Sequence, residues 1–357
     1  MDKRSGMVAW RLVAIALLMW VPFVGPADAQ VKTSFAPTTL QISIGHAAVS
    51  SIPLGMGYWK EEGLDVDVFG VNGSTAGIQQ LAAGNLDFCS VGGEALLAAR
   101  AKGAKVRAVY MYARRPIYHT VVLASSKIQT LKELKGQTIG RSSTTEANVL
   151  FTNAALRSEG LDPDKDVSWL TVPVGAFAMA LQKGDIGALS SWDTMIASLQ
   201  ARGLTFRDLE PAYNDELFGN VIIAREDTIE KQPDLVVKVL RGIAKATQFG
   251  LANPEAAVRL HWKLYPQTKP QNADETAAMR ESLGIFESRF KELELSGTTK
   301  YGENLPAQWT RVTKIAEEEK IVPPDFDPSG LWTNQFVDAV NAFDRAAVIA
   351  QAKAWKD

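Results

Sequence analysis

Residues 81–103 read LAAGNLDFCSVGGEALLAARAKG, and residues 181–203 read LQKGDIGALSSWDTMIASLQARG. Laid over one another at an offset of 100, without a gap, the two stretches share Leu, Gly, Ser, Ala and Gly. In both, a helical end stops at a Gly turn, a short β-like run follows, and a second helical run begins at once and closes on Gly. Strand and helix taken in turn imply a parallel sheet with right-handed crossovers. The order occurs twice, so the chain is expected to hold two α/β units whose equivalent positions can be paired.

The same alternation extends outward from both stretches. From residue 39 it runs "LQISIG", "SIPLGMGYWKEEGL", "DVDVFGV", "TAGIQQLAAG", "LDFCSVG", "GEALLAARAKG" and "KVRAVYMY". After "YHTVVLASS" it starts again with "TLKELKG", "QTIGRSS", "EANVLFTNAALRSEG", "VSWLTVP", "GAFAMALQKG", "IGALSS", "TMIASLQARG" and "TFRDL". Beyond Phe218, "FGNVIIAR" is a last strand-like run, and the rest reads as helices with no strands to cover. These helices are expected to pack back on the first unit. The resulting division is 30–122 for the first part of lobe 1, 123–217 for lobe 2, and 218–357 for the second part of lobe 1. Chain crossings are expected near 118–125 and 212–222, a two-strand hinge.

With 46% hydrophobic and 22% charged residues the 357-residue chain is globular by composition and long enough for two packed domains. Residues 1–29 stand apart. Lys3, Arg4 and Arg11 precede or enter the apolar run "LVAIALLMWVPFV", and Ala27-Asp28-Ala29 precedes Gln30. That is the pattern of a secretory signal peptide with an A-x-A cleavage site, and the run is shorter than the roughly 20 residues of a spanning helix. Cleavage removes three basic and two acidic residues and moves the formal charge from −2 to −3. Nothing in this balance suggests a nucleic-acid partner. Cys89 is the single cysteine, so no internal disulfide can form, and its apolar run makes it a buried thiol. With no cysteine after the signal segment for a lipid anchor, the expectation is a soluble, monomeric periplasmic protein.

The ordered set "GYWKEEGLDVDV", "GSTAGIQQLAAGNLDFCSVGGEA", "IQTLKELKGQTIGRSSTTEANVL", "ALQKGDIGALSSWD" and "RGLTFRDL" resembles the solute-binding proteins of ABC importers for nitrate, sulfonates and taurine. The resemblance spans roughly residues 39–260. It implies the α/β two-lobed type II periplasmic binding fold, each lobe a mostly parallel sheet flanked by helices. It also implies a small solute captured between the lobes, an inner-membrane permease with its ATPase as partner, and no cofactor.

In open α/β sheets, ligands bind beyond the carboxyl ends of strands, where helix N-termini offer free N–H groups. "VNGSTAG" at 71–77 is such a turn, and it lacks the Lys-Ser/Thr pair of a phosphate loop. Asn72, Gly73, Ser74 and Thr75 are therefore candidates for one pocket wall; the plain alternative is helix capping by Ser74 or Thr75. "RSSTTE" mirrors it in the second unit, with Arg141, Ser142, Ser143, Thr144 and Thr145 as candidates and Glu146 in the first helical turn. His46, after "LQISIG", and Gly92, Gly93 and Glu94 complete the first wall. Gly175, Ser191, Trp192 and Asp193 complete the second, with Tyr118 and Trp192 as aromatic surfaces. Donor-rich turns and Arg141 suit an anion. Glu94 and Asp193 at the strand ends suit an amine or a zwitterion.

His119 and His261 show no paired ligands in the sequence, and three scattered histidines give no metal constellation. "DPDKDVSWLTVP" begins like a calcium loop but has Val167 and Pro173 where Gly and Glu belong. No nucleophile elbow, H-E-x-x-H or Cys-His arrangement is present, so binding without chemistry is expected. The rival is an enzyme or binding protein for a pyrimidine (thiamine) or quinone precursor on the same fold, with His46 and Glu94 as acid and base. A sensing module feeding a membrane receptor is a third reading.

Overall fold

The computed structural model describes residues 30–357 apart from Thr145 and Asn272. The expected signal segment, 1–29, and the candidate Thr145 lie outside the described residues. Among the described residues ten strands are found: β1 Val31–Pro37, β2 Leu64–Val68, β3 Phe88–Gly92, β4 Val106–Met111, β5 Tyr118–Leu123, β6 Thr138–Arg141, β7 Ser168–Thr171, β8 Ala188–Trp192, β9 Phe206–Asp208 and β10 Asn220–Arg225. The helices are α1 Ser51–Gly55, α2 Tyr58–Glu61, α3 Gly73–Ala82, α4 Gly93–Ala101, α5 Ala147–Ser158, α6 Phe177–Lys183, α7 Asp193–Ala201 and α8 Glu226–Lys231. They continue with α9 Pro233–Ala252, α10 Pro254–Leu264, α11 Glu275–Leu293, α12 Pro306–Glu318, α13 Val337–Val340 and α14 Arg345–Ala354.

The strands form two five-stranded sheets, ordered β2-β1-β3-β10-β4 and β7-β6-β8-β5-β9. In each, a parallel trio is extended by one antiparallel strand from the far side of a crossing: β10 against β3 and β4, β5 against β8 and β9. This is the expected two-lobed α/β architecture with mixed sheets. Because β5 lies wholly in the second sheet, the boundary expected at 122 falls inside a strand, and the first crossing runs through 112–117 instead of 118–125. The second runs through 209–219.

The strand expected in "LQISIG" is displaced. The first strand is β1, which begins at Val31 in "VKTSFAP", upstream of Leu40, and pairs with β2 from Val31↔Leu64 and with β3 from Phe35↔Phe88. Phe35 and Ala36 are fully buried, whereas Leu40 is 69% exposed. The chain must turn at Thr39–Leu40, whose carbonyls pass so close to Gly70 that a Cβ there would lie 2.3 Å from Thr39 O. Ile44–Val49 is then a 3₁₀ turn. β1 escapes pattern reading because Val31 and Lys32 are both exposed and break the alternation.

Each sheet is covered on both faces. On one face of the first sheet lie α1, α2 and the C-terminal helices α9, α10 and α11; on the other lie α3, α4 and α12. The second sheet is covered by α6 and α7 on one face and by α5 on the other. The long helix α9 starts with Pro233, whose missing N–H costs nothing at a helix start, and turns a stripe of Val236, Val239, Leu240, Ile243 and Phe249 inward. Its glycines allow close approach: Trp59 Nε1 donates to Val239 O (2.9 Å), and a Cβ on Gly242 would lie 2.3 Å from the Trp59 ring. Gly250 stands equally close to Phe290, which stacks on Phe286 at 3.8 Å. The C-terminal helices also reach the other lobe. Leu150 and Ala154 of α5 pack with Trp309 of α12, and Arg157 Nε bonds Glu319 at 2.7 Å.

These contacts set an expectation for packing. Gly242→Ala forces Trp59 or α9 to shift, and it should lower unfolding free energy by about 1–3 kcal/mol, read as a lower urea midpoint with an unchanged slope.

Candidate functional site

Both repeated units end in a strand that runs straight into a helix, and the polar groups between the lobes are placed by those junctions. At the end of β3, Gly92 caps α4 in extended conformation (φ −66°, ψ 144°). A side chain on Gly92 would meet the Glu94 carboxylate at 2.2 Å, because that carboxylate folds back over the turn; one on Gly93 would meet the Phe218 ring at 2.6 Å. The Gly92 N–H donates to Ser74 Oγ (3.1 Å), tying the start of α3 to this strand end. Glu94 is buried, and its Oε2 has no hydrogen-bond partner. Burial pushes its carboxyl from 4.5 up to about 7, against the opposing pull of the Glu94 and Ala95 amides.

At the end of β8, Trp192 takes the cap position and Asp193 is the first residue of α7. Under the 100-residue offset Thr194 falls opposite Glu94, so the two acids are one position out of step. Asp193 does not present a free carboxylate. Arg289 of α11 reaches across from the C-terminal helices and grips both oxygens, Nε and Nη2 each at 2.6 Å, with side chains 5% and 1% exposed. The Thr194 N–H adds a bond at 2.8 Å. Burial opposes the Arg289 charge, but Asp193 more than restores it and holds the guanidinium above its ordinary range.

His46 sits in the 3₁₀ turn, half-buried, where its Nδ1 accepts from the Ser43 N–H (3.2 Å). Burial, then the charges of Arg289 and His261, lower its pKa to about 3, so the ring is neutral. Tyr118 opens β5 directly opposite Trp192. Its hydroxyl donates to Asn220 Oδ1 of β10 (3.3 Å) and its ring stacks on Phe151 of α5 with centroids 5.4 Å apart. Burial, and then Glu94, raise the Tyr118 phenol well above its ordinary value, with Asp193 and Glu146 adding and Arg289 opposing. These four charges therefore act on one spot. Glu146 caps α5; its Oε1 accepts from the Ser142 hydroxyl, and its Oε2 is buried with no partner. Behind Tyr118, Thr120, Thr152, Ser190 and Asn148 form a closed hydrogen-bond chain at 2.8–3.1 Å, whereas Ser191 Oγ is buried without a partner.

Other candidates stand elsewhere. Arg141 lies 4.8 Å over the Trp169 ring, on the α5 face of the second sheet. Asn72, Thr75, Thr144 and Gly175 are exposed, the last in the turn Val174–Ala176 with open space where a Cβ would be. Gly73 begins α3 at φ +84°, a conformation natural to glycine, and Ser143 lies in the loop that leads into α5. Three residues of the interlobe group were not foreseen: Arg289, Asn220 and Phe151. For Arg289 a signal exists, since it occupies the apolar stripe of Phe286, Phe290 and Leu293, where a charge must have a buried partner. His119, read as unpaired, is 2.5 Å from Asp208 Oδ2, with Glu210 close by. Asp208 belongs to β9, which sequence spacing cannot bring beside β5.

A family model described as NMT1/THI5 like matches residues 55–257. The chain is similar to a Brucella abortus (strain 2308) protein named only as a binding protein, 26% identical over 214 residues, or 59% of this chain and 65% of that one. It thus spans slightly under two thirds of the length of the first curated relatives it matches. It is also similar to a 4-amino-5-hydroxymethyl-2-methylpyrimidine phosphate synthase of Saccharomyces cerevisiae, 26% identical over 298 residues, 79% of this chain and 81% of the other. Among solved structures, the periplasmic aliphatic sulphonate binding protein from Escherichia coli superposes with a TM-score of 0.65 at 19% identity, over 85% of this chain and 92% of its own. That likeness is one of fold, the type II periplasmic binding fold.

Two outcomes follow from the buried charges. Arg289→Ala or Asp193→Ala leaves a buried charge unpaired and should cost about 3–5 kcal/mol in urea unfolding, whereas the double change Asp193→Leu with Arg289→Met should cost far less. The second concerns pH. A carboxyl raised from 4.5 to about 7 binds its proton more tightly in the folded chain, so its contribution is lost as pH rises through that interval. The lowered His46 and His261 act oppositely, losing stability as pH falls from 6.5 toward about 3. Glu94→Gln should thus raise the melting temperature at pH 8, by up to about 3 kcal/mol in stability, and change it little near pH 4.

Proposed function

The chain belongs to the NMT1/THI5-like family, and on that premise we propose that it is the substrate-binding component of an ABC importer. In this reading it is exported after cleavage before Gln30, captures a small organic solute between its lobes in the periplasm, and delivers it to an inner-membrane permease with its ATPase. The observation that carries the reading is the interlobe group itself: Tyr118, Asn220, Glu94 and Ser191 from strand ends of both sheets, with polar atoms of Glu94 and Ser191 buried and unsatisfied. A cleft with unsatisfied buried groups is suited to a ligand that completes them. Among the described residues no helix is long and apolar enough to cross a membrane.

The cycle needs only differential affinity. An open form admits the solute, contacts from both lobes favour the closed form, and the permease recognises that shape. The side chains support binding over chemistry. His46 is neutral and engaged with Ser43, and the Cys89 thiol is buried and pushed up to about 12. The solute class read from the sequence is a small organic anion or zwitterion of the sulfonate, taurine or nitrate kind. The second reading, action on a pyrimidine or quinone precursor, is favoured by the similarity to the yeast synthase and would give His46 and Glu94 catalytic roles.

A thermal-shift screen of the purified protein against sulfonates, taurine, nitrate, aromatic carboxylates and pyrimidine precursors tests this. A ligand at a hundred times its Kd should add about 2.7 kcal/mol. Tyr118→Ala should abolish the response to any compound that binds between the lobes. Turnover of a pyrimidine or quinone precursor would replace the receptor reading by the enzyme.

A further inference from the structure

Resting on the receptor reading above, we propose that the interlobe pocket recognises its solute through a cationic N–H-donating head, an ammonium or amidinium, and not through an anionic group. An anion receptor needs a positive charge aimed between the lobes, and the guanidinium that acts on Tyr118, Arg289, is already neutralised. Arg289 holds Asp193 by a two-pronged bond at 2.6 Å; Arg141 lies 4.8 Å over Trp169, on the α5 face of the second sheet, with its Nε buried and unpaired there. The nearby His46 carries no charge.

Two carboxylates, in contrast, each keep one oxygen open. Glu94 Oε2 and Glu146 Oε2 are both buried without a hydrogen-bond partner, and one comes from each lobe. A buried acceptor left unpaired costs about 1–3 kcal/mol, more if charged, and a ligand N–H recovers it. The charges that act on the Tyr118 hydroxyl are three carboxylates, Glu94, Asp193 and Glu146, against the one guanidinium of Arg289. With Asp193 and Arg289 cancelling one another, Glu146 and, above about pH 7, Glu94 leave an excess of negative charge that a cation offsets and an anion worsens. The stacked rings of Tyr118 and Phe151 offer the body of the solute an apolar, cation-tolerant wall.

A matched panel separates the head groups: benzamidine, phenethylamine and ethanolamine against benzenesulfonate, phenylacetate and ethanesulfonate, with affinities measured by calorimetry at pH 8. The expected result is binding of cationic members only, weakened about tenfold to a hundredfold by Glu94→Gln and also by Glu146→Gln. Glu94→Gln keeps the shape of the side chain and should be the more stable protein at this pH, so a lost affinity is not a lost fold. Binding of the anionic members, undiminished in both variants, overturns the proposal while leaving the receptor reading in place. No binding of either sign, together with no response in the wider solute screen, overturns both.

Discussion

The ion pair between Arg289 and Asp193 is the interaction around which the rest of the site is arranged. It joins a helix of the C-terminal set, which otherwise packs on the first sheet, to the first residue of a helix in the second lobe. Taking two charges out of water is costly, and only a fully hydrogen-bonded geometry repays it. Here both carboxylate oxygens are bonded to the guanidinium. The consequences spread from this point. The Arg289 charge helps keep His46 neutral, and Asp193 and Arg289 act in opposite senses on Tyr112 and Tyr118. The pair ties the C-terminal helices to the second lobe through a dry contact.

A second contact between lobes lies on the other face, where α5 meets α12 through Leu150, Ala154 and the bond from Arg157 to Glu319. Among the buried polar atoms without partners are Glu94 Oε2, Glu146 Oε2 and Ser191 Oγ. Thr120, Thr152, Ser190 and Asn148, by contrast, close a network of their own. Glu94 and Glu146 oxygens near Tyr118 stay unpaired, as do buried atoms elsewhere, those of Tyr112, Asn153 and Trp262 among them. In a binding protein such groups, where they face the solute, convert ligand contacts into closure, since their partners exist only when the solute is present.

The crossed strands explain how the lobes communicate. β10 carries Asn220 into the first sheet while Asn220 holds the hydroxyl of Tyr118, the first residue of the second sheet. The two crossing segments thus bring a residue of each lobe to one hydrogen bond at the hinge. Movement of one lobe against the other must either preserve or break that bond, and a solute placed against Tyr118 senses it directly.

The sequence by itself determined what is local. The helix starting at Gly93, the helices read from Thr75 and Thr194 that in fact begin at Gly73 and Asp193, the Gly turns after helices and the strand-then-helix order of both units were legible, because turn chemistry and periodicity act over a few residues. Placing Glu94 and Trp192 just after strands followed from the rule that such ends share an edge, whereas Tyr118, which starts its strand, comes opposite Trp192 through antiparallel pairing. Tertiary structure alone decided the rest. The first strand lies ahead of the apolar alternation in "LQISIG" because sheet pairing outweighed pattern. Arg141 turned to Trp169, and Asp193 found a partner 96 residues away in Arg289. A buried charge demands a counter-charge, which composition can announce; which residue answers depends on helices brought together by a core spread over the whole chain, and no spacing in the sequence records that.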